Sequence, residues 1–207
     1  MVYRGLEGVA PTVKIKRYSV MENPFQFPLT TIGEPAWEAK LRHYLEGYDI
    51  ICTGATPQQV AACEATLGAA LPASLRAYYL AFGSSQNADF MYGLLPVTEL
   101  KPLAAAGFEF VNLYFAPAEI AGMVWFADSP GNDPLCFDQA TGELYLFSHD
   151  PVQKAKVFTD FNQYLLFEIM QLEELLGDGI NEGQKQQLAA TYLVGGKIDY
   201  AFRTQKL

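Results

Sequence analysis

The sequence predicts an α+β fold, in which two helices lead into a mostly antiparallel sheet packed by a later helix, with extensions at both ends. Three observations predict it. Apolar residues recur at helical spacing between residues 35 and 83, short aromatic runs bounded by Pro, Gly, Asn or Asp replace them from Met91, and a helical period returns after Thr159. A chain of 207 residues, 50% hydrophobic and 14% aromatic, can bury a sizeable core. It carries no repeat at a fixed period, and Gly177-Asp178-Gly179 is its one linker-like turn, so one domain is expected rather than two.

Residues 1–34 are rich in Pro and Gly, and NPFQFPLTTIGEP reads as an extended arm whose Phe25 and Phe27 dock on the core. In PAWEAKLRHYLEG, Pro35 stands at a helix start and Trp37, Leu41, Tyr44 and Leu45 form one stripe. Glu38 and Arg42 pair at i,i+4, and Gly47 stops the helix. At Thr56 the pattern T-x-x-Q sets a hydroxyl over free backbone amides and returns Gln59 to the cap, with Pro57 in the first turn. Val60, Cys63 and Leu67 line the face that follows, up to Gly68. Pro72 opens the next helix, with Leu75, Tyr79 and Phe82 inward and Gly83 at its end.

The runs MYGLLPV, FEFVNLYF, MVWFAD, PLCFD and ELYLFS all read as strands. QATG between the last two, with Gly142 available for a positive φ, makes them a hairpin flanked by Asp138 and Glu143. From Thr159 a stripe of Phe161, Leu165, Ile169, Leu172 and Leu176 forms a helix expected to cover one sheet face. A last helix runs from Asn181 as cap through Leu188 and Tyr192 to Gly195. Alternation of Ile198, Tyr200 and Phe202 then predicts a terminal strand.

Charge is placed unevenly. Of the net −9, residues 56–170 carry −8, and between Lys101 and Lys154 there is no Lys or Arg but seven carboxylates: Glu109, Glu119, Asp128, Asp133, Asp138, Glu143 and Asp150. Because these acids alternate with apolar runs, they read as an acidic side of a folded sheet, suited to a basic protein and hostile to nucleic acid. Lys14, Lys16 and Arg17 form a small basic cluster best read as a solvated strand edge or a loose N-terminal arm. Three cysteines, Cys52, Cys63 and Cys136, cannot all pair within the chain and match no zinc spacing, which favours a reducing compartment. With no signal peptide and no spanning segment in view, a cytoplasmic protein without membrane contact is expected.

The strings TPQQVAACEATLGAALPASLRAYYLAFGSSQ, GLLPVTEL, VWFADSPGNDPLCFDQATGELYLFSHD and FTDFNQYLLFEI, in this order, resemble the SUKH superfamily over about residues 56–170. Leu67-Gly68, Leu71-Pro72 and Leu75 match its helical signature, and Gly131-Asn132, Leu135 to Asp138 and Gly142 its strand and turn signature. FGSSQ departs from the Asn-Gly-Gly turn many relatives carry. The superfamily includes bacterial immunity proteins that neutralise polymorphic toxins and fungal regulators of cell-wall synthesis. The resemblance implies a single SUKH-like domain with a core at 56–170, an N-terminal extension 1–55 and a C-terminal helix and strand at 171–207.

Chemical readings compete with plainer ones. Asp128, Asn132, Asp133 and Asp138 offer oxygen ligands but fail the EF-hand spacing, and turn chemistry around Pro130 and Pro134 explains them. Cys136 and His149, oriented by Asp150, form at most an incomplete nucleophile pair, since Cys136 sits where a buried thiol is usual. His43 reads as a surface residue. No nucleotide-binding loop, nucleophile elbow or H-E-x-x-H motif is present, so neither an enzyme nor a cofactor is expected. Most aromatics belong to the core, with Tyr78, Tyr92 and Tyr114 as candidate outward anchors. The expected function is immunity-type inhibition of a basic toxin, such as a nuclease, held through Asp128, Asp133, Asp138, Glu143 and Asp150. The alternative is a non-enzymatic scaffold or regulatory protein-interaction module.

Overall fold

A computed structural model describes residue 32 and residues 34–84, 90–176 and 180–192, with the side chains of residues 176, 191 and 192 left aside. Phe25, Phe27, the basic cluster near residue 16, the Gly177 turn and the terminal strand therefore lie outside the described residues. The fold is α+β. Helix α1 (Trp37–Gly47) precedes α2 (Pro57–Leu67) and α3 (Ala73–Phe82). Strands β1 (Gly93–Leu94) and β2 (Lys101–Pro102) follow, then short helices α4 (Glu109–Tyr114) and α5 (Pro117–Ile120). The main strands are β3 (Met123–Asp128), β4 (Pro134–Asp138), β5 (Leu144–His149) and β6 (Val152–Phe158), after which come α6 (Phe161–Leu176) and α7 (Glu182–Tyr192).

Local chemistry sets the helix ends. Gln59 N–H donates to Thr56 Oγ1 at 3.2 Å while Thr56 N–H donates to Gln59 Oε1 at 2.8 Å, and Gly68 closes α2 at φ 68°. Helix α6 starts one residue later than its Thr159 signal, because Asp160 Oδ1 takes the Gln163 amide at 3.0 Å. Asn181 Oδ1 accepts from Gln184 N–H at 3.0 Å and caps α7. The Glu38–Arg42 pair forms, and the same guanidinium reaches the Ala81 carbonyl at 2.7 Å and the Cys52 carbonyl at 3.2 Å.

All strand pairs are antiparallel, in the order β1-β3-β4-β5-β6, with β2 also pairing β3. On one face Val124, Phe126, Leu135, Phe137, Leu144, Leu146 and Phe158 meet Phe161, Tyr164 and Ile169 of α6 and Leu75, Tyr78, Tyr79 and Phe82 of α3. Burial of this many large apolar side chains supplies the main driving force. Leu41, Tyr44 and Leu45 of α1 join the same core.

The opposite face is covered as well. Leu103, Val111 and Ile120 close over Met123, Cys136 and Phe147, so residues 103–120 form a lid on the second side of the sheet. This corrects the strand expected for FEFVNLYF: its residues coil into α4, which needs only Val111 inward, and its aromatics pack edge-on, with Phe108 to Trp125 at 5.2 Å and Phe115 to Phe147 at 5.1 Å. A second correction is β6, whose run VQKAKVF pairs along the length of β5.

Candidate functional site

The five predicted carboxylates fall at two ends of the sheet. Asp138 pairs in register with Met123, and Glu143 directly precedes β5, so these two mark the β4–β5 hairpin end. Asp128 pairs with Pro134, while Asp133 and Asp150 border β4 and β5 at the other end, about 16 Å away at ~3.3 Å per strand residue.

At the hairpin end, Asp138 works on its own turn. Its Oδ1 accepts the amides of Ala140 at 2.7 Å and Thr141 at 3.3 Å, and Gly142 takes φ 75°, as the sequence led one to expect. Glu143 accepts from the Tyr145 hydroxyl at 2.7 Å and pairs with Lys156, whose ammonium, as first cause, holds its carboxyl below the usual value. Lys154 donates to the Glu119 carbonyl at 2.7 Å and lies over the rings of Tyr145 and Phe147. Lys154, which closes the cation-free run, and Lys156 are thus folded back onto it by β6.

At the other end, Asp133 is only 6% exposed, and its Oδ1 accepts from the His149 amide at 3.0 Å and from His149 Nδ1 at 2.6 Å. Hydrogen bonding to Asp133 raises the His149 pKa. Ser129 shapes the preceding loop, its Oγ accepting from Gly131 N–H at 3.2 Å and Asp133 N–H at 3.0 Å while Asn132 turns at φ 59°. Asp128 accepts from Trp125 Nε1 at 2.8 Å and is half-buried, which pushes its pKa up. Asp150 is exposed and its carboxylate accepts no hydrogen bond among the described residues. Of the five acids, then, Asp133 is withdrawn into the protein, three serve partners within the fold, and Asp150 is exposed beside His149, whose pKa it also helps to raise.

Burial also decides the other candidates. Cys136 is fully buried, which drives its thiol pKa well up, and it stands in register with Trp125 and Tyr145, while the Nδ1 of His149 is given to Asp133. His43 is exposed. Among the described residues no group of three or more His, Cys, Asp or Glu is arranged to hold a metal ion, and no helix is long and apolar enough to cross a membrane.

Of the three tyrosines expected to face outward, Tyr78 (0% exposed) is a core residue because α3 is enclosed by α6 and the sheet, and Tyr92 (5%) because its ring packs on Phe158, Tyr164 and Phe167. Tyr114 is 65% exposed. Leu113, its neighbour in α4, is 74% exposed, and Val152, at the start of β6, 42%. The sequence reading misses Leu113 because a strand at 108–115 would place it differently, and Val152 because VQKAKVF does not read as a strand. Phe110, three and four residues before Leu113 and Tyr114, packs on the His149 ring at 6.0 Å and joins the two elements.

The SMI1 / KNR4 family (SUKH-1) matches residues 54–166, a stretch that holds α2, α3, the sheet and the first residues of α6. The chain belongs to this family. Its members are in general non-catalytic, and family membership supports an immunity-type or regulatory protein-interaction module. No curated protein and no solved structure matches the chain. Helix α1 and α6 from Phe167 onward lie beyond the SUKH-1 match, yet residues of both pack into the same core.

Proposed function

We propose that this SUKH-1 protein is an immunity-type inhibitor that holds a basic toxin domain, a nuclease being the class its charge suits best, and blocks access to the toxin's substrate. The observation that carries the reading is the exposed carboxylate of Asp150 at a strand-end surface with no lysine or arginine between residues 101 and 154 of the sequence. Asp128 at the same end, and Asp138 and Glu143 at the hairpin end, add negative field, while Asp133 holds the His149 strand end in shape. A field of one sign speeds encounter with a cationic partner and discourages wrong ones, and apolar contacts then slow dissociation. No reaction is required of the protein.

The test is calorimetric titration with the toxin domain encoded beside its gene, at low and high salt. Tight binding that weakens with salt supports the reading, since exposed charges are screened beyond ~10 Å at 0.1 M. No binding to that domain, or inhibition that survives Asp150→Lys and Asp138→Lys together without change in association rate, contradicts it.

A further inference from the structure

We infer that the outer side of α4, together with the β5–β6 turn, is a seat for an amphipathic, basic segment of a protein partner. The inference rests on the reading of the chain as a protein-binding module and names the surface and the chemistry that meets it. Leu113 and Tyr114 are 74% and 65% exposed on one turn of helix, and Phe110 shares their side at helical spacing. Phe110 packs on the His149 ring, and His149 pairs in register with Val152, itself 42% exposed, so the Phe110 and His149 rings join α4 to the start of β6.

This surface rests on a fixed base. Val111 is fully buried beneath α4, Phe115 packs on Phe147, and Phe108 packs on both Phe110 and Trp125. Among the described residues, Val111 and these rings anchor α4, while Leu113 and Tyr114 stand exposed. A large aliphatic and a tyrosine on a preorganised base are what an interface centre is made of, since little side-chain freedom remains to be lost on binding.

Charge selects the occupant. Glu109 in the first turn of α4 and Asp150 beside His149 are both exposed, and the His149 ring is hydrogen-bonded to Asp133, the larger of the two carboxylate influences on it, with Asp150 the smaller. Lys154, the next cation along the chain, is held by the Glu119 carbonyl and by the Tyr145 and Phe147 rings. An anionic lipid surface would meet Glu109 and Asp150 as like charges, and a second copy brings its own net −9. A helix with an apolar stripe and flanking Lys or Arg satisfies both the apolar centre and the acidic rim.

The probe is a fluorescein-labelled 18-residue peptide with leucines on one helical face and lysines on the other, alongside a scrambled peptide of equal composition. Anisotropy with the full chain is expected to show the amphipathic peptide binding at least tenfold more tightly than the scrambled one. The Leu113→Ser/Tyr114→Ser variant should lose at least tenfold, and Leu175→Ser, which alters an exposed leucine elsewhere, less than twofold. Amide shift mapping on the unmodified protein gives a variant-free readout, with changes expected at residues 109–115 and 149–152. Equal binding of the scrambled peptide, an unaffected double variant, or shifts centred elsewhere overturns the seat. If the toxin domain binds and Leu113→Ser/Tyr114→Ser leaves its affinity unchanged, the seat fails and the immunity reading stands. If the peptide maps to α4 but the toxin domain does not bind, the immunity reading fails and the seat stands.

Discussion

The Tyr44 hydroxyl of α1 donates to Glu173 Oε2 of α6 at 2.5 Å, across 129 residues of chain, and the Tyr48 hydroxyl donates to the same oxygen. Burial, and then the neighbouring carboxyl, raise the pKa of both tyrosines. A helix outside the SUKH-1 match is thereby tied to the one that packs the sheet. Glu173→Ala takes the shared acceptor from two hydroxyls and should cost about 2 kcal/mol, whereas Tyr48→Phe removes one of the two bonds and should cost about 1 kcal/mol. Urea unfolding midpoints check this, and equal costs for the two variants would refute the shared-acceptor account.

Glu168 sets a pH dependence. It is fully buried, and its two oxygens accept from the amides of Met91 at 2.6 Å and Tyr92 at 3.0 Å, yet burial outweighs those bonds and pushes its pKa to about 8. An acid whose folded pKa is raised holds its proton between the unfolded value near 4.5 and about 8, so folding takes up a proton in that window. Its contribution to stability therefore falls as pH rises from about 4.5 to 8, by at most ~1.4 kcal/mol per pH unit, and is flat outside. Glu168→Gln should flatten the slope in urea titrations between pH 5 and about 8. An unchanged slope would count against the assignment.

Two glycines lock the segment before α2 against the end of α3. A Cβ on Gly54 would stand 2.0 Å from the Leu80 carbonyl oxygen, and one on Gly83, at φ 72°, 2.2 Å from that of Thr53. Ala55 N–H donates to the Tyr79 carbonyl at 2.7 Å in the same place. Alanine at either position should cost about 3 kcal/mol or more, by backbone displacement and, at Gly83, strain. Gly47→Ala, with nothing within 4 Å, should stay within about 0.5 kcal/mol of the parent in thermal unfolding.

His149 reports on its loop. Asp133 raises its pKa, so the pair adds stability that is complete below the ordinary histidine value and lost as pH climbs through the raised one. NMR titration of the imidazole should give a midpoint above 6.5 that drops in Asp133→Asn. A midpoint indifferent to that substitution would break the link.

Features whose chemistry is local were legible in the sequence. The Thr56–Gln59 box, the Asp138 to Gly142 turn and the Asn181 cap each need only neighbours within a few residues. Features decided by distant partners were not. FEFVNLYF has the aromatic content of a strand, and only docking on Trp125 and Phe147 makes it a helix and lid. The lysines of VQKAKVF hid a strand, since nothing nearby shows that Lys154 will lie across the rings of β5. The same strand recasts the site, because it brings Lys156 to Glu143 and leaves the exposed negative charge at Asp150. Sequence could show the amount of charge in the segment, but only strand register shows that it divides between two ends.

The most direct test is the association rate of the neighbouring toxin domain measured by stopped flow at several salt concentrations, for the parent and for Asp150→Lys. The account predicts a fast rate that falls with salt, and a variant at least fivefold slower at low salt that converges with the parent at high salt. Equal rates for the two proteins at every salt concentration would contradict it.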